Sequence, residues 1–538
     1  MTGAQAMIKC LQAEGIRKVF GYPGVAIAPF YEGLYNSDIE HVLVRQEQNA
    51  GHAASGYARL SRKPAVCVVT SGPGATNLIT ALATAYADSI PLVAISGQVS
   101  SELLGRDVFQ EADMRGATKS FVKYCFLVKN PDDIPRVFKE AFYIASTGRK
   151  GPVLIDIPID VQTRSLKKEF AYPDKIQIRG YKPEIRVNVA QVRKVVEAIN
   201  EAKRPLICAG GGVILGNGEK IIREFCEKFN MPLVHTMMGM GVLPKKHPLN
   251  FGMLGNNGKP YANKAVSRAD LLVIVGARIA DRAIPKPENL LRRTVIHIDI
   301  DTAEIGKNMG PTVPLVGDVN DIFDILIKEE IRKSDPFWLE ELEDIKKGTI
   351  DRRIFSDKNV NPNILVQKLS EKMDDDAIYV ADVGQNQLWS ADNYIMKEGR
   401  FLTTGGMGTM GYSIPAAIGA KMFAPDKQTV AVCGDGAFQM SMNELATMKV
   451  NNVDIRILIV RNGYLGLVRE YQYNLYDGHY IGVKLNDWPR YDKIAEAYDL
   501  RYIECSSNED LDSKLDEFLG SDKPCLMVCD VDFENRVK

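Results

Sequence analysis

Two apolar runs that each end in a polar turn constrain the fold of this chain more than any other feature of its sequence. The first run, 430–433, leads into Gly434-Asp435-Gly436, and the second, 455–460, leads into Arg461-Asn462-Gly463. The segment between them has the pattern of a helix. A strand, a helix and a second strand in this order predict a parallel unit, which places both turns at the carboxyl edge of one sheet.

The polar residues in these turns are typical of a metal and phosphate site. Asp435 and Asn462 offer hard oxygen donors, which suit Mg²⁺, and the glycines let the backbone approach a diphosphate closely. A Gly-Asp-Gly turn alone is a weak signal, since most such turns only connect elements, and a plain pair of strand-to-helix turns is the alternative. The added asparagine at the end of the next strand makes the pattern much more specific for a metal-bound diphosphate.

Strands alternate with helices along most of the 538 residues. This alternation predicts an α/β protein in which parallel sheets are covered by helices on both faces. We predict three doubly wound domains with parallel sheets, at residues 1–165, 188–332 and 360–538. The charged stretch 331–360 breaks the alternation and is predicted to be a linker. In the third domain, a helix is predicted at 441–450, after the Gly-Asp-Gly turn.

Composition narrows the class of protein and its partners. The net charge is −1 and no block of like charge occurs, so the sequence gives no reason to expect binding to nucleic acid. The apolar runs are too short to cross a membrane, and the N-terminal helix lacks the cleavage site of a signal peptide. Nine scattered cysteines, most of them in apolar runs, are typical of reduced thiols. We therefore expect a cytoplasmic protein.

Glu47 is the first candidate catalytic residue. It follows an apolar strand and opens a helix, where the helix dipole favours a carboxylate. A glutamate at a helix start is common for structural reasons alone, and that interpretation is the alternative. Two other features favour a function: the glycine and proline loop before it, which ends at Gly24, and the metal motif of the third domain. Phe109 and Gln110 are weaker candidates for a substrate contact.

Two segments of the third domain carry further candidates. Gly384, Gln385 and Asn386 come directly after a predicted strand, which makes them candidates for diphosphate contacts. The segment 405–420 is rich in glycine, so its backbone carbonyls can approach a ligand closely. Met410 within it is either core packing, the default for a lone methionine, or a wedge beneath a cofactor.

These segments together resemble a known family. FGYPG, TSGPGATN, FQEAD, GPVLIDIP, GGMGTMGYSIPAAIGA and GDGAFQM, followed by Asn462, occur in the order and spacing of the catalytic large subunits of acetohydroxyacid synthase, also called acetolactate synthase. The resemblance covers nearly the whole chain. It implies an enzyme that depends on thiamine diphosphate (ThDP) and Mg²⁺, decarboxylates pyruvate, and condenses the enamine with a second 2-keto acid, pyruvate or 2-ketobutyrate. The products, 2-acetolactate or 2-aceto-2-hydroxybutyrate, feed branched-chain amino acid biosynthesis.

The resemblance also implies a role for each matching residue. Glu47 would bond N1′ of the aminopyrimidine, Gly408 would accept a hydrogen bond from its 4′-amino group, and Met410 would hold ThDP in a bent conformation. The implied Mg²⁺ ligands are Asp435, Asn462 and the backbone carbonyl of Tyr464. The other implied ThDP contacts are Gly384, Gln385, Asn386, Gln387, Gly436, Ala437, Leu465 and Gly466. The implied residues of the reaction site, besides Glu47, are Gly24, Val25, Phe109 and Gln110.

The same resemblance assigns the three domains and their partners. The first domain would bind the pyrimidine of ThDP, the third its diphosphate, and the central domain FAD in a structural role. The implied FAD contacts are Arg149, Gly211, Gly212, Leu254, Gly255, Gly276, Arg278, Asp299 and Asp318. Because Glu47 and Asp435 lie in different domains, the family places each active site between two chains. This implies a homodimer or homotetramer, and a regulatory small subunit would be a separate chain.

The chain departs from the family pattern at four positions. Val25 stands where a second glycine is usual, Ile159 where a lysine is usual, and Asn386 where a histidine is usual. Tyr471 replaces a tryptophan that commonly favours 2-ketobutyrate as acceptor. The ThDP machinery is otherwise intact, so these departures bear on the choice of acceptor and on sensitivity to inhibitors.

Other functions fit part of the sequence. A sister ThDP enzyme would share the cofactor: a pyruvate oxidase, a sulfoacetaldehyde acetyltransferase or a 2-keto acid decarboxylase. A fermentative acetolactate synthase would lack the flavin. A non-catalytic regulatory homologue that only binds a nucleotide would have no need of Glu47, Asp435 and Asn462, and the presence of all three argues against it.

Overall fold

The computed structural model describes residues 1–284, 293–349, 355–356, 358–485 and 489–537. They form three α/β domains, each built on one six-stranded parallel sheet, which confirms the predicted fold class. No helix in these described ranges is long and apolar enough to cross a membrane.

The strands are β1 (Lys18–Tyr22), β2 (Glu40–Leu43), β3 (Ala65–Val69), β4 (Leu92–Gln98), β5 (Tyr124–Leu127), β6 (Pro152–Pro158), β7 (Pro205–Ala209), β8 (Leu233–His235), β9 (Asn250–Met253), β10 (Leu271–Val275), β11 (Thr294–Asp299), β12 (Val313–Val316), β13 (Ile378–Ala381), β14 (Arg400–Leu402), β15 (Thr429–Gly434), β16 (Arg456–Arg461), β17 (Arg501–Cys505) and β18 (Cys525–Asp530).

The helices are α1 (Gly3–Ala13), α2 (Ala28–Tyr35), α3 (Glu47–Ser61), α4 (Pro73–Asn77), α5 (Ile79–Ala87), α6 (Met114–Thr118), α7 (Ile134–Ser146), α8 (Ile159–Thr163), α9 (Val189–Glu201), α10 (Gly211–Leu215), α11 (Glu219–Phe229), α12 (Pro260–Arg268), α13 (Val319–Leu326), α14 (Pro336–Lys347), α15 (Pro362–Lys372), α16 (Gln385–Asn393), α17 (Ser413–Phe423), α18 (Asp435–Ser441), α19 (Leu445–Val450), α20 (Gly466–Leu475), α21 (Tyr491–Ala497) and α22 (Leu511–Leu519).

The first and third sheets have the same strand order. The first runs β2-β1-β3-β4-β6-β5, and the third runs β14-β13-β15-β16-β18-β17. In both, the chain changes direction across the sheet between its first and third strands. Ligands of open parallel sheets bind at such a switch point, beyond the carboxyl ends of the strands. The ends of β1 and β3, and of β13 and β15, are therefore the places where the two halves of a site are expected.

The central sheet has a different order, β12-β11-β10-β7-β8-β9. Numbered within the domain and read from its other edge, this is 3-2-1-4-5-6, the order of the dinucleotide-binding fold. Its switch point lies between β7 and β10. The glycines that follow these two strands, Gly210 to Gly212 and Gly276, therefore stand at the crevice where a dinucleotide would bind.

Helices α3 and α17 hold the first and third domains together within one chain. A Cβ atom at Gly56 would lie 1.9 Å from the carbonyl oxygen of Ala416, and one at Gly419 would lie 1.8 Å from that of Ala53. The two backbones therefore touch, and only glycine permits this approach. The hydroxyl group of Ser55 is hydrogen bonded to that of Tyr412 at 3.1 Å. Since α3 begins at Glu47, this packing fixes the position of the candidate catalytic residue relative to the third domain.

The structure differs from the sequence prediction in two segments. The helix after the Gly-Asp-Gly turn, predicted at 441–450, begins at Asp435, and a second helix covers 445–450. The predicted linker 331–360 contains α14, because Trp338 is buried and donates its indole N–H to the carbonyl of Pro205 at 2.9 Å. Within that stretch, residues 350–354 and 357 lie outside the described part of the chain.

Candidate active site

Asp435 lies at the carboxyl end of β15, as the first residue of α18. Its side chain accepts hydrogen bonds from the backbone N–H groups of Gly463 at 2.7 Å and Gly436 at 3.1 Å. The residue is 2% exposed, and burial raises the pKa of its carboxyl group to about 6 despite these hydrogen bonds. No described basic side chain forms an ion pair with it. A buried carboxylate without a cation is costly, so this position suits a metal ion.

Asn462 lies at the end of the neighbouring strand, β16. Its side-chain oxygen accepts a hydrogen bond from the N–H of Tyr464 at 2.9 Å, and its amide donates to Gln385 Oε1 at 3.0 Å. A Cβ atom at Gly466 would come within 2.0 Å of that same Gln385 oxygen. The structure therefore brings together the predicted residues at the ends of β13 and β16, and Gly463 joins them to Asp435. One carboxylate, one amide and nearby carbonyls match the few oxygen ligands that Mg²⁺ takes from a protein.

The predicted diphosphate segment begins α16. Gly384 has a φ of +139°, which favours glycine. The Asn386 amide donates to the carbonyls of Asp382 at 2.9 Å and Val432 at 3.3 Å, so it ties together the ends of β13 and β15. Gln387 donates to Thr403 Oγ1 at 2.7 Å. These side chains are used within the domain. The backbone N–H groups of Gln385 and Asn386, at the start of the helix, form no hydrogen bond with the described residues, so they are able to donate to an anion.

Met410 lies beside the Gly-Asp-Gly turn. A Cβ atom at Gly436 would be 3.6 Å from Met410 Cε and 2.9 Å from Leu465 Cδ2. Met410 is half-buried against the hydrophobic core of the third domain, so it packs there and also reaches the turn. Gly408, two residues earlier, is exposed and has a φ of +68°. The structure thus places Met410 at the Gly-Asp-Gly turn, and Gly408 on the exposed segment that leads to it.

Glu47 is the centre of a second group of residues, in the first domain. Its Oε2 accepts a hydrogen bond from the Asn77 amide at 3.0 Å. A Cβ atom at Gly74 would lie 3.2 Å from Glu47 Oε1, and one at Gly24 would lie 2.5 Å from Thr70 Cβ. The loops after β1, β2 and β3 therefore converge. Asn77 was not singled out from the sequence, although the segment TSGPGATN contains it.

Phe109 and Gln110 lie on a loop next to this group. Gln110 has a φ of +59°, an uncommon conformation for a residue other than glycine, and it packs against Gly72. Phe109 is 87% exposed and Val25 is 77% exposed in the single chain. Large apolar side chains this exposed beside a candidate site are typical of a surface that another chain covers.

The two groups of residues are separate within one chain. None of the hydrogen bonds among the described residues links Glu47 to Asp435 or Asn462. Glu444, a fully buried residue of the third domain, instead accepts hydrogen bonds from the Arg45 N–H and the Asn49 amide, each at 2.9 Å. It holds the start of α3 against the segment that follows α18. The sequence did not single out Glu444, since its partners are about 400 residues away in the chain.

A cavity of about 1030 Å³ lies where the three domains meet. This is at the upper end of the usual size of small-molecule sites, about 300–1,000 Å³. All of the residues implied to bind FAD line it except Gly255, which hydrogen bonds to the Asn263 side chain through both its N–H and its carbonyl. A Cβ atom at Gly212 would lie 2.7 Å from Gly276 Cα, so close loop packing alone requires these two glycines.

The charged residues implied to bind FAD have different environments in this cavity. Arg149 donates to Glu304 at 2.7 Å and to Asp301 at 3.3 Å. Asp318 caps the N-terminus of α13, and burial raises the pKa of Asp299 to about 6. The guanidinium group of Arg278 forms no hydrogen bond or ion pair with the described residues. Arg278 is therefore the cation best placed to bind an anionic ligand in the cavity.

Two residues of different domains meet in the wall of the cavity. Arg282 of the central domain donates a hydrogen bond to the Tyr471 hydroxyl group at 3.1 Å. Both residues line the cavity. Tyr471 was predicted to affect the choice of acceptor, whereas Arg282 was not singled out. Arg282 is the second arginine of the segment GARIADR, of which only the first, Arg278, was predicted to bind a ligand. This closeness to Arg278 in the sequence could have pointed to Arg282.

Comparisons with known proteins cover most of the chain. Three family models match it: thiamine pyrophosphate enzyme N-terminal TPP binding domain at 1–117, central domain at 192–326, and C-terminal TPP binding domain at 382–529. The chain is 42% identical to a probable acetolactate synthase large subunit of Methanocaldococcus jannaschii, over 99% of this chain and 92% of the relative. It is 44% identical to the acetolactate synthase large subunit of Corynebacterium glutamicum, over 91% and 80%. It is 42% identical to the acetolactate synthase of Mycobacterium bovis, over 95% and 85%.

Proposed function

Because the chain belongs to the acetolactate synthase large-subunit family of thiamine pyrophosphate enzymes, we propose that it decarboxylates pyruvate and joins the two-carbon unit to a second 2-keto acid. The products would be 2-acetolactate or 2-aceto-2-hydroxybutyrate, in branched-chain amino acid biosynthesis. The observation that carries the proposal is the buried carboxylate of Asp435, which has no cationic partner among the described residues and lies beside Asn462. The residues around Glu47 supply the other half of the site.

The third domain would hold the diphosphate end of the cofactor. When bound, ThDP supplies the nucleophilic carbon and the electron sink for decarboxylation and carbon–carbon bond formation. Asp435, Asn462 and the backbone carbonyl of Tyr464 would bind Mg²⁺, which in turn binds the diphosphate oxygens. The N–H groups of Gln385 and Asn386, at the start of α16, would donate to the same oxygens. Met410 would support the cofactor from below.

Residues of both domains would control the proton at the pyrimidine end of the cofactor. Glu47 would share a proton with N1′ of the pyrimidine ring, and the Gly408 carbonyl would accept a hydrogen bond from the 4′-amino group. The Asn77 amide, at 3.0 Å from Glu47 Oε2, fixes the orientation of the carboxylate. Glu444 fixes the backbone at the start of α3, two residues before Glu47, through its contact with the Arg45 N–H.

The substrate carboxylates need a cation and an apolar wall. Arg282 is positioned to bind a carboxylate beside Tyr471, and a guanidinium group matches a carboxylate with two parallel hydrogen bonds. Phe109 and Gln110 would line the site from the loop beside Glu47. Their exposure in one chain supports a homodimer or homotetramer in which Glu47 of one chain faces Asp435 of another. A regulatory small subunit remains compatible with this arrangement.

Product analysis tests the proposed reaction. With pyruvate alone, the enzyme should release CO₂ and form 2-acetolactate. With pyruvate and 2-ketobutyrate together, it should also form 2-aceto-2-hydroxybutyrate, and the ratio of the two products measures the acceptor preference that Tyr471 influences. Acetaldehyde as the main product would identify a decarboxylase, and acetyl phosphate would identify an oxidase or acetyltransferase. Either result would refute the proposal.

We propose that the central cavity binds FAD, in a structural role. Three observations support this: the dinucleotide-type strand order, the cavity of about 1030 Å³, and Arg278, whose guanidinium group has no partner among the described residues. The purified protein should therefore show the visible absorption bands of a flavin. Arg278→Ala should weaken flavin binding by about 10- to 100-fold, since a charged hydrogen bond contributes about 1.5–3 kcal/mol.

Arg193→Ala is the control for this experiment, because Arg193 is an exposed arginine on α9 of the same domain. It should leave the flavin content unchanged. Full activity in a colourless preparation of the wild-type protein would contradict the FAD assignment and identify a flavin-free acetolactate synthase. Equal flavin content in the two variants would contradict the role of Arg278.

A further inference from the structure

Asp382 is a fully buried carboxylate at the end of β13, and the mechanism above does not use it. Its Oδ1 accepts hydrogen bonds from the N–H groups of Gly411 and Val383, both at 2.9 Å. Its Oδ2 accepts one from the N–H of Ser413 at 2.8 Å. Ser413 is the first residue of α17, so the carboxylate also faces the positive end of a helix. Asp382 thus fixes the end of the segment 405–411, which we call the arch.

A second carboxylate, from the first domain, fixes the beginning of the arch. Asp88 Oδ1 accepts a hydrogen bond from the Gly406 N–H at 2.8 Å, and its Oδ2 is paired with Arg59 at 2.8 Å. The hydroxyl groups of Thr84 and Thr409 are hydrogen bonded at 2.7 Å. The arch is therefore held between two domains, with one carboxylate at each end.

The part of the arch between these two ends is exposed. Residues 405–408 are open to solvent, and Gly408 and Gly411 have φ values of +68° and +81° that favour glycine. Thr404 closes the base of the arch, because its hydroxyl group is hydrogen bonded to both the N–H and the carbonyl of Thr409. The position of the Gly408 carbonyl is therefore set by both ends of the arch, together with the contacts of Thr409.

We propose that Asp382 and Asp88 are positioning residues for the ThDP pyrimidine, acting through the arch. They fix the Gly408 carbonyl and Met410 where the ring would lie, while Asp435 and Asn462 bind the other end of the cofactor independently. This inference rests on the proposed function, in which the arch contacts ThDP. It predicts that loss of Asp382 weakens the contacts to the pyrimidine ring of the cofactor and leaves the binding of its diphosphate unchanged.

Asp382→Asn is the test, because asparagine has the same size and replaces one acceptor oxygen by a donor. That amide would face an N–H group of Gly411 or Ser413, which breaks one hydrogen bond and shifts the arch. We expect the affinity for ThDP and the exchange rate of its C2 proton with D₂O to fall about 10- to 100-fold. The affinity for inorganic diphosphate with Mg²⁺, measured by calorimetry without substrate, should stay unchanged.

Two further variants make the result interpretable. Asp88→Asn should give the same pattern, and it replaces Asp382→Asn if that variant does not fold. Asp270→Asn is the matched control, because Asp270 also accepts two backbone N–H groups, from Lys203 at 2.9 Å and Arg204 at 2.8 Å, but in the central domain. It should lower thermal stability without changing ThDP affinity.

The outcomes separate this inference from the proposed function. If the wild-type protein binds ThDP but both arch variants bind it and exchange the C2 proton at wild-type rates, the positioning role is overturned. An equal loss of affinity for ThDP and for inorganic diphosphate would also overturn it, since that pattern indicates general damage. Failure of the wild-type protein to bind ThDP would refute the proposed function itself.

Discussion

The Glu47→Gln variant should bind ThDP and Mg²⁺ with near wild-type affinity and yet lose about 10²- to 10⁴-fold in activity, the usual contribution of a positioned acid or base. Glutamine keeps the size of the side chain and can still accept the hydrogen bond from Asn77, but it cannot take a proton. Acetolactate formation measures the activity, and calorimetry measures ThDP binding. Exchange of the C2 proton with D₂O, followed by NMR after acid quenching, isolates the step that Glu47 assists.

Glu40→Gln is the control for this prediction. Glu40 lies on β2 of the same domain, is exposed, and pairs with Lys18 at the surface. The same chemical change there should leave both activity and proton exchange unaltered. Activity near the wild-type level in Glu47→Gln would refute the assigned role, and the same loss in Glu40→Gln would show a general effect of the substitution.

The sequence predicts central strands better than edge strands. Strands such as β15 and β16 are apolar along their length because helices cover both faces of a parallel sheet. A continuous apolar run is easy to recognise in the sequence. The edge strands β14, with three residues, and β12, with four, carry too few residues to show a pattern. Helix α14 was missed for a different reason. Only two of its residues, Trp338 and Leu342, are buried, so most of its sequence is polar or charged and resembles that of a linker.

The residues of the candidate site differ in whether their role depends on local sequence or on distant contacts. Glu47, Asp435 and Asn462 could be predicted because each follows a strand within a few residues, and glycines adjoin Asp435 and Asn462. Asn77 and Glu444 could not, since their importance lies in contacts with residues far away in the chain: 30 residues for Asn77, and 395 for Glu444 and Asn49. Such pairs leave no local pattern, and only the assembled fold shows them.

Asn386 shows how the structure changes the interpretation of a departure from the family pattern. The sequence placed it among the diphosphate contacts, as a replacement for histidine. In the structure its amide is buried and joins the carbonyls at the ends of β13 and β15. A side chain used in this way holds the two strands that carry Gly384 and Asp435 at a fixed distance. Asn386 in place of histidine therefore affects mainly the distance between these two strands. The N–H groups of Gln385 and Asn386 are still able to bind phosphate.

The Asp435→Asn variant should weaken Mg²⁺ binding by more than about 100-fold, because the loss of even an outer-shell partner costs about 10- to 100-fold in metal affinity. The metal-free protein should be as stable as the wild type or more stable. Burial already disfavours the charged carboxylate, and asparagine retains an acceptor for the Gly463 N–H. Thermal unfolding with and without Mg²⁺ and ThDP measures both effects, since a ligand raises the unfolding temperature only of a protein that binds it.

Asp530→Asn is the matched control, because Asp530 ends the adjacent strand β18 but is paired with Arg461 at 2.8 Å. Its removal leaves Arg461 without one of its partners, so the metal-free protein should become less stable while its response to Mg²⁺ and ThDP stays the same. The two substitutions at one sheet edge should thus have opposite effects. Loss of Asp435 should weaken metal binding without lowering stability, and loss of Asp530 should lower stability without weakening metal binding. An unchanged response to Mg²⁺ and ThDP in Asp435→Asn would contradict its assignment as the metal ligand.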